Sequence, residues 1–280
     1  MNKKTKAIIL IIVAGLSFTL MNISIRLAGD LPTIQKSFFR NLISAFFAFY
    51  IVKKSGTKIE IKKEGLKVLL IRTFLGMFGI LANFYAIDHL VLSDAVMLSK
   101  MSPFFAIIFS LLFLKEKVSI KQWMAVIIAF IGVLFVIKPS FDLNPVYLVG
   151  LAGGMFAGGA YTAVRKLGSL NVTGPFVVFF FSTATTLMNF PLMVASYQAM
   201  TGSQIAFLIL AGSAACLAQF SLTSAYFNAP AKEISIFDYG QVIYAAIAGF
   251  FIFNQLADGF SFLGYLIIIS MATLMFFQKQ

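Results

Sequence analysis

Two charged residues lie deep inside long apolar segments, where they could bind a charged ligand. Lys100 lies within the apolar run 91–114, close to Pro103, and Asp238 lies at a similar depth within the run 231–253. An unpaired charge near the middle of a bilayer costs at least ~2.5–3.5 kcal/mol. We therefore expect Lys100 and Asp238 to pair, and to bind the carboxylate or phosphate and the amine of a substrate. A permanent structural ion pair is the alternative interpretation.

The composition is that of a chain that crosses a membrane many times. Of 280 residues, 60% are apolar and 11% are charged, and the mean hydropathy is +0.94. A helix needs ~20 mostly apolar residues to cross a hydrocarbon core of ~30 Å. The sequence predicts an all-α membrane protein with ten transmembrane helices, at 7–27, 33–52, 65–86, 91–114, 120–137, 145–164, 174–197, 204–227, 231–253 and 260–277.

The formal net charge of +12 comes largely from lysines near the ends of the predicted spans. The stretch 53–67 carries six lysines, whereas the stretch 196–203 carries none. Because positively charged loops remain on the cytoplasmic side, this asymmetry places both termini in the cytoplasm of a bacterial-type cell membrane. The lysines would also meet the head groups of membrane lipids. No nucleic acid is expected as a partner.

Residues for catalysis and metal binding are scarce. The chain has one cysteine, Cys216, and one histidine, His89. They leave almost nothing from which to build a zinc cluster or a Cys-His or Ser-His dyad. A nucleotide-binding fingerprint is also missing from the sequence. We therefore expect a protein that is not an enzyme, with no metal or cofactor and no direct use of ATP.

The second half of the chain matches the first at an offset of 139 residues. Five spans in each half would make the second half enter the membrane in the opposite direction. We therefore predict two inverted repeats, 1–138 and 139–280. Interrupted apolar segments at corresponding places in two such halves point to a transport site. The matches are Arg26 with Arg165, Gly15 with Gly154, Ala86 with Ala225, and the conservative pair Asp94 with Glu233.

Short motifs along the whole chain resemble the EamA-type repeat of the drug/metabolite transporter superfamily. The resemblance implies ten helices in two inverted five-helix repeats around a central substrate cavity. Many family members carry tryptophan where this chain has Phe18, so a substrate contact by that tryptophan cannot be assigned here. The motifs are Arg72-Thr-Phe-Leu-Gly76, Phe84-Tyr85-Ala86, Asp94-Ala95, Pro103-Phe104-Phe105 and Leu114-Lys115-Glu116, with weaker counterparts at Ala225-Tyr226 and Phe253-Asn254-Gln255.

Polar residues recur on one face of several predicted spans. Asn22 and Tyr161 lie on corresponding faces of the first and sixth spans, and Asn83 and Gln219 lie on such faces of the third and eighth. We expect these faces to line one cavity, although close helix packing is the alternative reading of the glycines at 150, 154 and 158. The substrate-binding candidates are Lys100, Asp238, Asn22, Tyr161, Asn83, Tyr85, Ser99, Ser102, Gln219, Tyr226 and Gln241.

Four further charged residues are candidates for gating or coupling. Asp94 and Glu233 occupy the first turns of their predicted spans, where a carboxylate also stabilises a helix amino terminus. Arg40 and Arg72 lie inside predicted spans. Either arginine could contact substrate, or its long side chain could extend to the membrane interface.

The function that the sequence predicts is secondary transport by alternating access. We expect an exporter or exchanger of a small polar or zwitterionic metabolite, such as an amino acid, a nucleoside-like compound or a vitamin. Protons are a candidate coupling ion, with Asp238 or Glu233 as the acceptor. A flippase for a lipid or lipid-linked substrate is the alternative, and a non-transport membrane scaffold is less consistent with paired charges at the midplane. The sequence is compatible with either a monomer or a homodimer as the oligomeric state.

Overall fold

Helices form every regular element in the part of the chain that the structure describes. The computed structural model describes residues 3–55, 62–114, 119–137, 144–229 and 237–277. The expected all-α class is confirmed. The helices are α1 (Lys3–Leu27), α2 (Thr33–Ser55), α3 (Lys63–His89), α4 (Leu92–Ser99), α5 (Ser102–Leu114), α6 (Ile120–Ile137), α7 (Val146–Ser169), α8 (Gly174–Ala195), α9 (Gly202–Asn228), α10 (Gly240–Phe253) and α11 (Gly259–Phe277).

Within the described residues, six helical segments are long and apolar enough to cross a membrane: α1, α3, the combined α4–α5 segment, α7, α8 and α9. Shorter apolar helices lie within α6, α10 and α11. Large apolar side chains cover the outer surface, where Phe46 is 73% exposed and Phe251 is 76% exposed. Side chains of this kind are stable on a surface that faces lipid.

The fourth predicted span is two helices with a break at Lys100 and Met101. Pro103 has no backbone N–H with which to hydrogen-bond the carbonyl of Ser99, so the α-helical ladder cannot continue through this point. The chain makes a tight turn instead, in which the Met101 N–H donates to the carbonyl of Leu98 at 3.1 Å. In the second half, α10 begins at Gly240, and the predicted start of its span at 231 lies outside the described residues.

Helices from the two halves of the chain pack against each other in pairs. The most extensive contacts join α1 with α9, α3 with α7, α2 with α8, and α6 with α11. The broken α4–α5 segment packs on α7, and α4 also contacts α10. The helices α6 and α11 lie at the periphery of the bundle, since they pack chiefly on each other and expose large apolar side chains.

Partly buried polar contacts join several helices at one end of the bundle. The ammonium group of Lys36 donates to both carboxylate oxygens of Asp88, at 2.7 and 2.8 Å. Arg26 donates to the carbonyl of Leu90 at 3.1 Å, and its guanidinium lies 5.0 Å from the ring centroid of Phe253. These contacts join the carboxyl-terminal ends of α1, α3 and α10 with the amino-terminal end of α2.

Candidate functional site

The two interrupted segments meet inside the protein. Nζ of Lys100 lies 2.6 Å from Oδ1 of Asp238, and their side chains are 7% and 1% exposed. The hydroxyl of Tyr239 donates to the Lys100 carbonyl at 3.0 Å. The ion pair that the sequence predicted is therefore confirmed. The Asp238 carboxylate accepts no hydrogen bond of standard geometry from the described residues. Its interaction with Lys100 is therefore an electrostatic ion pair.

Glycines of α7 allow the α4–α5 break to approach the centre of the bundle. A Cβ atom at Gly158 would lie 2.7 Å from both the carbonyl oxygen of Ser102 and the Cβ of Phe105. Gly154 faces the carbonyl of Leu98 still more closely. These glycines therefore have the close-packing role that was the alternative interpretation of their spacing. They hold Lys100 at the depth where it meets Asp238.

A cavity of about 80 Å³ lies beside the ion pair. This volume holds a few water molecules and is well below the ~300 Å³ typical of small-molecule pockets, so a metabolite would enter only after helices move apart. Seven of the eleven substrate-binding candidates line the cavity: Asn22, Asn83, Ser99, Lys100, Tyr161, Gln219 and Gln241.

Four substrate-binding candidates are not part of this lining: Asp238, which is the ion-pair partner of Lys100, and Tyr85, Ser102 and Tyr226. The Tyr85 ring is 39% exposed and packs on His89, with 4.3 Å between ring centroids. Two residues along a helix turn by about 200°, so Tyr85 faces away from the cavity that Asn83 lines. Contrary to the prediction, Tyr85 therefore does not line the cavity. Ser102 is buried against α7, and Tyr226 lies behind Tyr161, with 5.6 Å between their ring centroids.

Arg40 and Arg72 both line the cavity, and both side chains are buried inside the bundle. Arg40 is completely buried, and Arg72 is 4% exposed. Nη2 of Arg72 donates to Oε1 of Gln219 at 3.0 Å, and its guanidinium carbon lies 3.4 Å from the ring centroid of Phe181. The interface reading of both arginines is therefore wrong, because burial inside the bundle and a bonded partner keep their charges at the cavity wall.

Asp94, one of the two acidic gating candidates, lies apart from the cavity lining. Asp94 is 1% exposed and accepts hydrogen bonds from the hydroxyls of Tyr265 and Tyr147. The contacts connect the amino-terminal end of α4 with α11 and α7, which gives Asp94 a packing role at this place. Glu233, the predicted counterpart of Asp94, lies outside the described residues.

Aromatic residues at the cavity wall were missed as site residues by the sequence reasoning. Phe18, Phe84 and Phe181 all line the cavity. The chain has 33 phenylalanines, so residue type alone does not distinguish these three, and the one signal is that Phe18 stands where many family members carry tryptophan. The position of Phe181 becomes recognisable only through its contact with Arg72.

The fold and the site define a multi-pass membrane protein with a central cavity that carries several buried charges, an arrangement suited to binding small polar molecules. Residues 5–138 match the EamA-like transporter family. The pseudopaline exporter CntI of Pseudomonas aeruginosa (strain UCBPP-PA14) is 30% identical over 266 residues, covering 94% of this chain and 93% of the exporter. The chain belongs to the EamA-like transporter family, as its motifs predicted.

Other comparisons agree with this membership. An S-adenosylmethionine uptake transporter of Rickettsia bellii is 26% identical over 257 residues, covering 91% of this chain and 87% of the relative. A protein of known crystal structure superposes with a TM-score of 0.71 over 96% of each chain. That protein is 13% identical in sequence, so the likeness shows the shared fold alone.

Proposed function

We propose that this protein is a secondary transporter that exports or exchanges a small polar or zwitterionic organic metabolite by alternating access. The single observation that carries the proposal is the buried Lys100–Asp238 pair, 2.6 Å apart, at the meeting point of two interrupted helices beside a polar cavity. Charged residues at such a depth usually mark a substrate or ion pathway. Lys100 would hold a carboxylate or phosphate of the substrate and Asp238 an amine.

The arrangement of the helices supports ten spans in two inverted repeats. We number the spans one to ten in order, with α4 and α5 together as the fourth. Five of the observed contacts then join one with eight, two with seven, three with six, four with nine, and five with ten. Adding five to the numbers of the first five spans and subtracting five from the numbers of the last five exchanges the two halves. This exchange gives the same set of pairs. The hydrogen bond from Tyr239 to Lys100 joins residues that are 139 positions apart, the offset of the proposed repeat.

The relatives support a small molecule as cargo. The related protein of Pseudomonas aeruginosa is named as an exporter, and the one of Rickettsia bellii as an uptake transporter. We propose export or exchange for this chain, with both termini on the cytoplasmic side as the lysine distribution predicts. Protons are the proposed coupling ion, since the buried Asp238 carboxylate next to the cavity could accept one when Lys100 turns to the substrate.

Flux in proteoliposomes tests this function. The full chain is reconstituted, loaded with an unlabelled bacterial metabolite extract, and offered the same extract in isotope-labelled form without ATP. We expect saturable, protein-dependent accumulation of labelled metabolite above that in protein-free liposomes, and a response of the flux to an imposed pH gradient. Accumulation equal to that of protein-free liposomes for every compound would contradict transport. Equal flux with and without the pH gradient would contradict proton coupling alone.

A further inference from the structure

We infer that the central cavity takes an organic anion with at least two negatively charged groups, one bound by Lys100 and another by the guanidinium groups of Arg40 and Arg72. This inference rests on the proposed transport function, because it names the substrate class of the same cavity. It differs from the zwitterion that the sequence predicted, because a zwitterion has no net charge.

Both arginines present unused hydrogen-bond donors in a buried place. Nη1 of Arg40 donates to Oδ1 of Asn41, while its Nε and Nη2 have no acceptor among the described residues. Nη2 of Arg72 donates to Gln219, while its Nε and Nη1 likewise have none in the described ranges. Since Arg40 and Arg72 are 0% and 4% exposed, these four nitrogens are shielded from bulk solvent. A buried donor without an acceptor is costly, so a ligand with acceptor oxygens would be favoured here.

The charges at the cavity do not balance. Arg40, Arg72 and Lys100 line it and bring three positive charges. Among the described residues, the carboxylate that forms an ion pair with any of the three is that of Asp238. Three positive charges and one negative charge leave a net charge of +2. Burying charges without counter-charges is unfavourable, and a substrate with two anionic groups would compensate the excess.

The neighbours of Arg72 hold its guanidinium in a defined orientation. A Cβ atom at Gly76 would lie 2.7 Å from Cε2 of Phe181 and 2.9 Å from Nη1 of Arg72. The glycine therefore leaves the space in which the guanidinium stacks on the ring. Stacking fixes the plane of the guanidinium and leaves its edge for an acceptor. The planar fork of a guanidinium matches a carboxylate or a phosphate, which it can bind through two parallel hydrogen bonds.

Charge fractionation of the labelled metabolite extract tests the inference. Ion exchange separates the extract into anionic, zwitterionic-plus-neutral, and cationic fractions, and each is offered to proteoliposomes that contain the full chain. We expect flux to be concentrated in the anionic fraction, in compounds with two or more negative groups. Treating that fraction with phosphatase beforehand distinguishes the two sources of charge, because loss of the transported label identifies a phosphate and its persistence identifies carboxylates.

Variants then connect the selectivity to the arginines. Arg40→Gln and Arg72→Gln should each lower flux of the anionic fraction roughly tenfold or more, the loss expected for a charge-assisted hydrogen bond, whereas Arg40→Lys and Arg72→Lys should lose less. Arg26→Gln is the matched control, because Arg26 lies outside the cavity lining, and it should keep the anionic preference. Unchanged anionic flux in folded Gln variants would overturn the inference.

The wild-type result decides the inference even where a variant does not fold. Flux confined to the zwitterionic-plus-neutral or cationic fraction would overturn the anionic substrate class and leave the proposed transport function standing. Absence of flux from every fraction would contradict the transport function itself, and the inference with it.

Discussion

Lys100 and Asp238 each carry a charge that is almost completely enclosed by protein, 2.6 Å from the other. Removing one partner leaves the other charge buried without compensation, a loss of ~3–5 kcal/mol in typical cases, whereas removing both avoids that penalty. We therefore expect Lys100→Met and Asp238→Asn each to lower the unfolding temperature in detergent more than the double variant does. A scanning thermal-unfolding measurement on the three purified variants checks this order.

The surface pair of Lys166 and Glu64 is the matched control for that measurement. Its atoms are 3.2 Å apart, and the side chains are 38% and 61% exposed. Because solvent screens such pairs, Lys166→Met should change the free energy of unfolding by no more than about 1 kcal/mol. A loss of stability in the double variant equal to the sum of the losses in the two single variants would show that Lys100 and Asp238 are not coupled.

At the residue scale, the sequence predicts the ion pair because a charge in a long apolar run needs a partner, and few partners exist. The same reasoning does not predict the orientation of Arg72. A long side chain can extend to the interface or turn inward, and the choice depends on helix rotation and on Phe181, a residue distant in sequence. Tyr85 was misplaced for a related reason, since a motif groups neighbours that a helix sends to opposite faces.

At the scale of secondary-structure elements, the packing of α7 against the α4–α5 break determines the position of Lys100. We expect Gly158→Ala to force the two apart, because the new Cβ would lie 2.7 Å from the Ser102 carbonyl oxygen. Overpacking of this kind costs ~1–3 kcal/mol, so thermal stability should fall, and flux should fall with it as Lys100 moves from Asp238. Thermal unfolding and proteoliposome flux measure the two effects.

Gly202 supplies the control for that substitution. It occupies the first turn of α9, and a Cβ atom there would have no other atom within 4 Å. Gly202→Ala should therefore leave both stability and flux close to those of the wild type. If Gly158→Ala behaved in the same way as Gly202→Ala, the close approach of α7 would not be what positions the break.

Helix ends were predicted to within a few residues, and the differences have a common cause. The third span was predicted at 65–86 and α3 runs from Lys63 to His89, while the eighth was predicted at 204–227 and α9 runs from Gly202 to Asn228. Apolar runs mark the part of a helix in the hydrocarbon core. Polar residues can continue the helix beyond it, and at α9 the mutual capping of Thr201 and Gln204 fixes the true start.

For the whole molecule, alternating access requires the two halves to move relative to each other. A Cβ atom at Gly15 of α1 would lie 3.7 Å from Cβ of Gln241 in α10, a separation that a disulfide can bridge. In a Cys216→Ala background, the pair Gly15→Cys and Gln241→Cys should therefore join the halves beside the ion pair. We expect oxidation of this variant to stop flux and a reductant to restore it.

The single change Gly15→Cys in the same background controls for oxidation itself, and its flux should not respond to the oxidant. Full flux in the oxidised double variant, with the disulfide verified by a gel shift, would contradict relative motion of α1 and α10. The pairing of helices between halves, on which this experiment depends, could not be predicted in detail from sequence. It arises from shape complementarity between apolar surfaces of nearly uniform composition.

The central claim is that Lys100 and Asp238 form the substrate site of a transporter, and flux through purified, folded Lys100→Met and Asp238→Asn variants tests it most directly. Counterflow of labelled metabolite in proteoliposomes should fall roughly tenfold or more in each variant, because each removes a buried charged contact with the substrate. Wild-type counterflow in both variants would contradict the claim and leave the pair as a structural tie between two halves of the bundle.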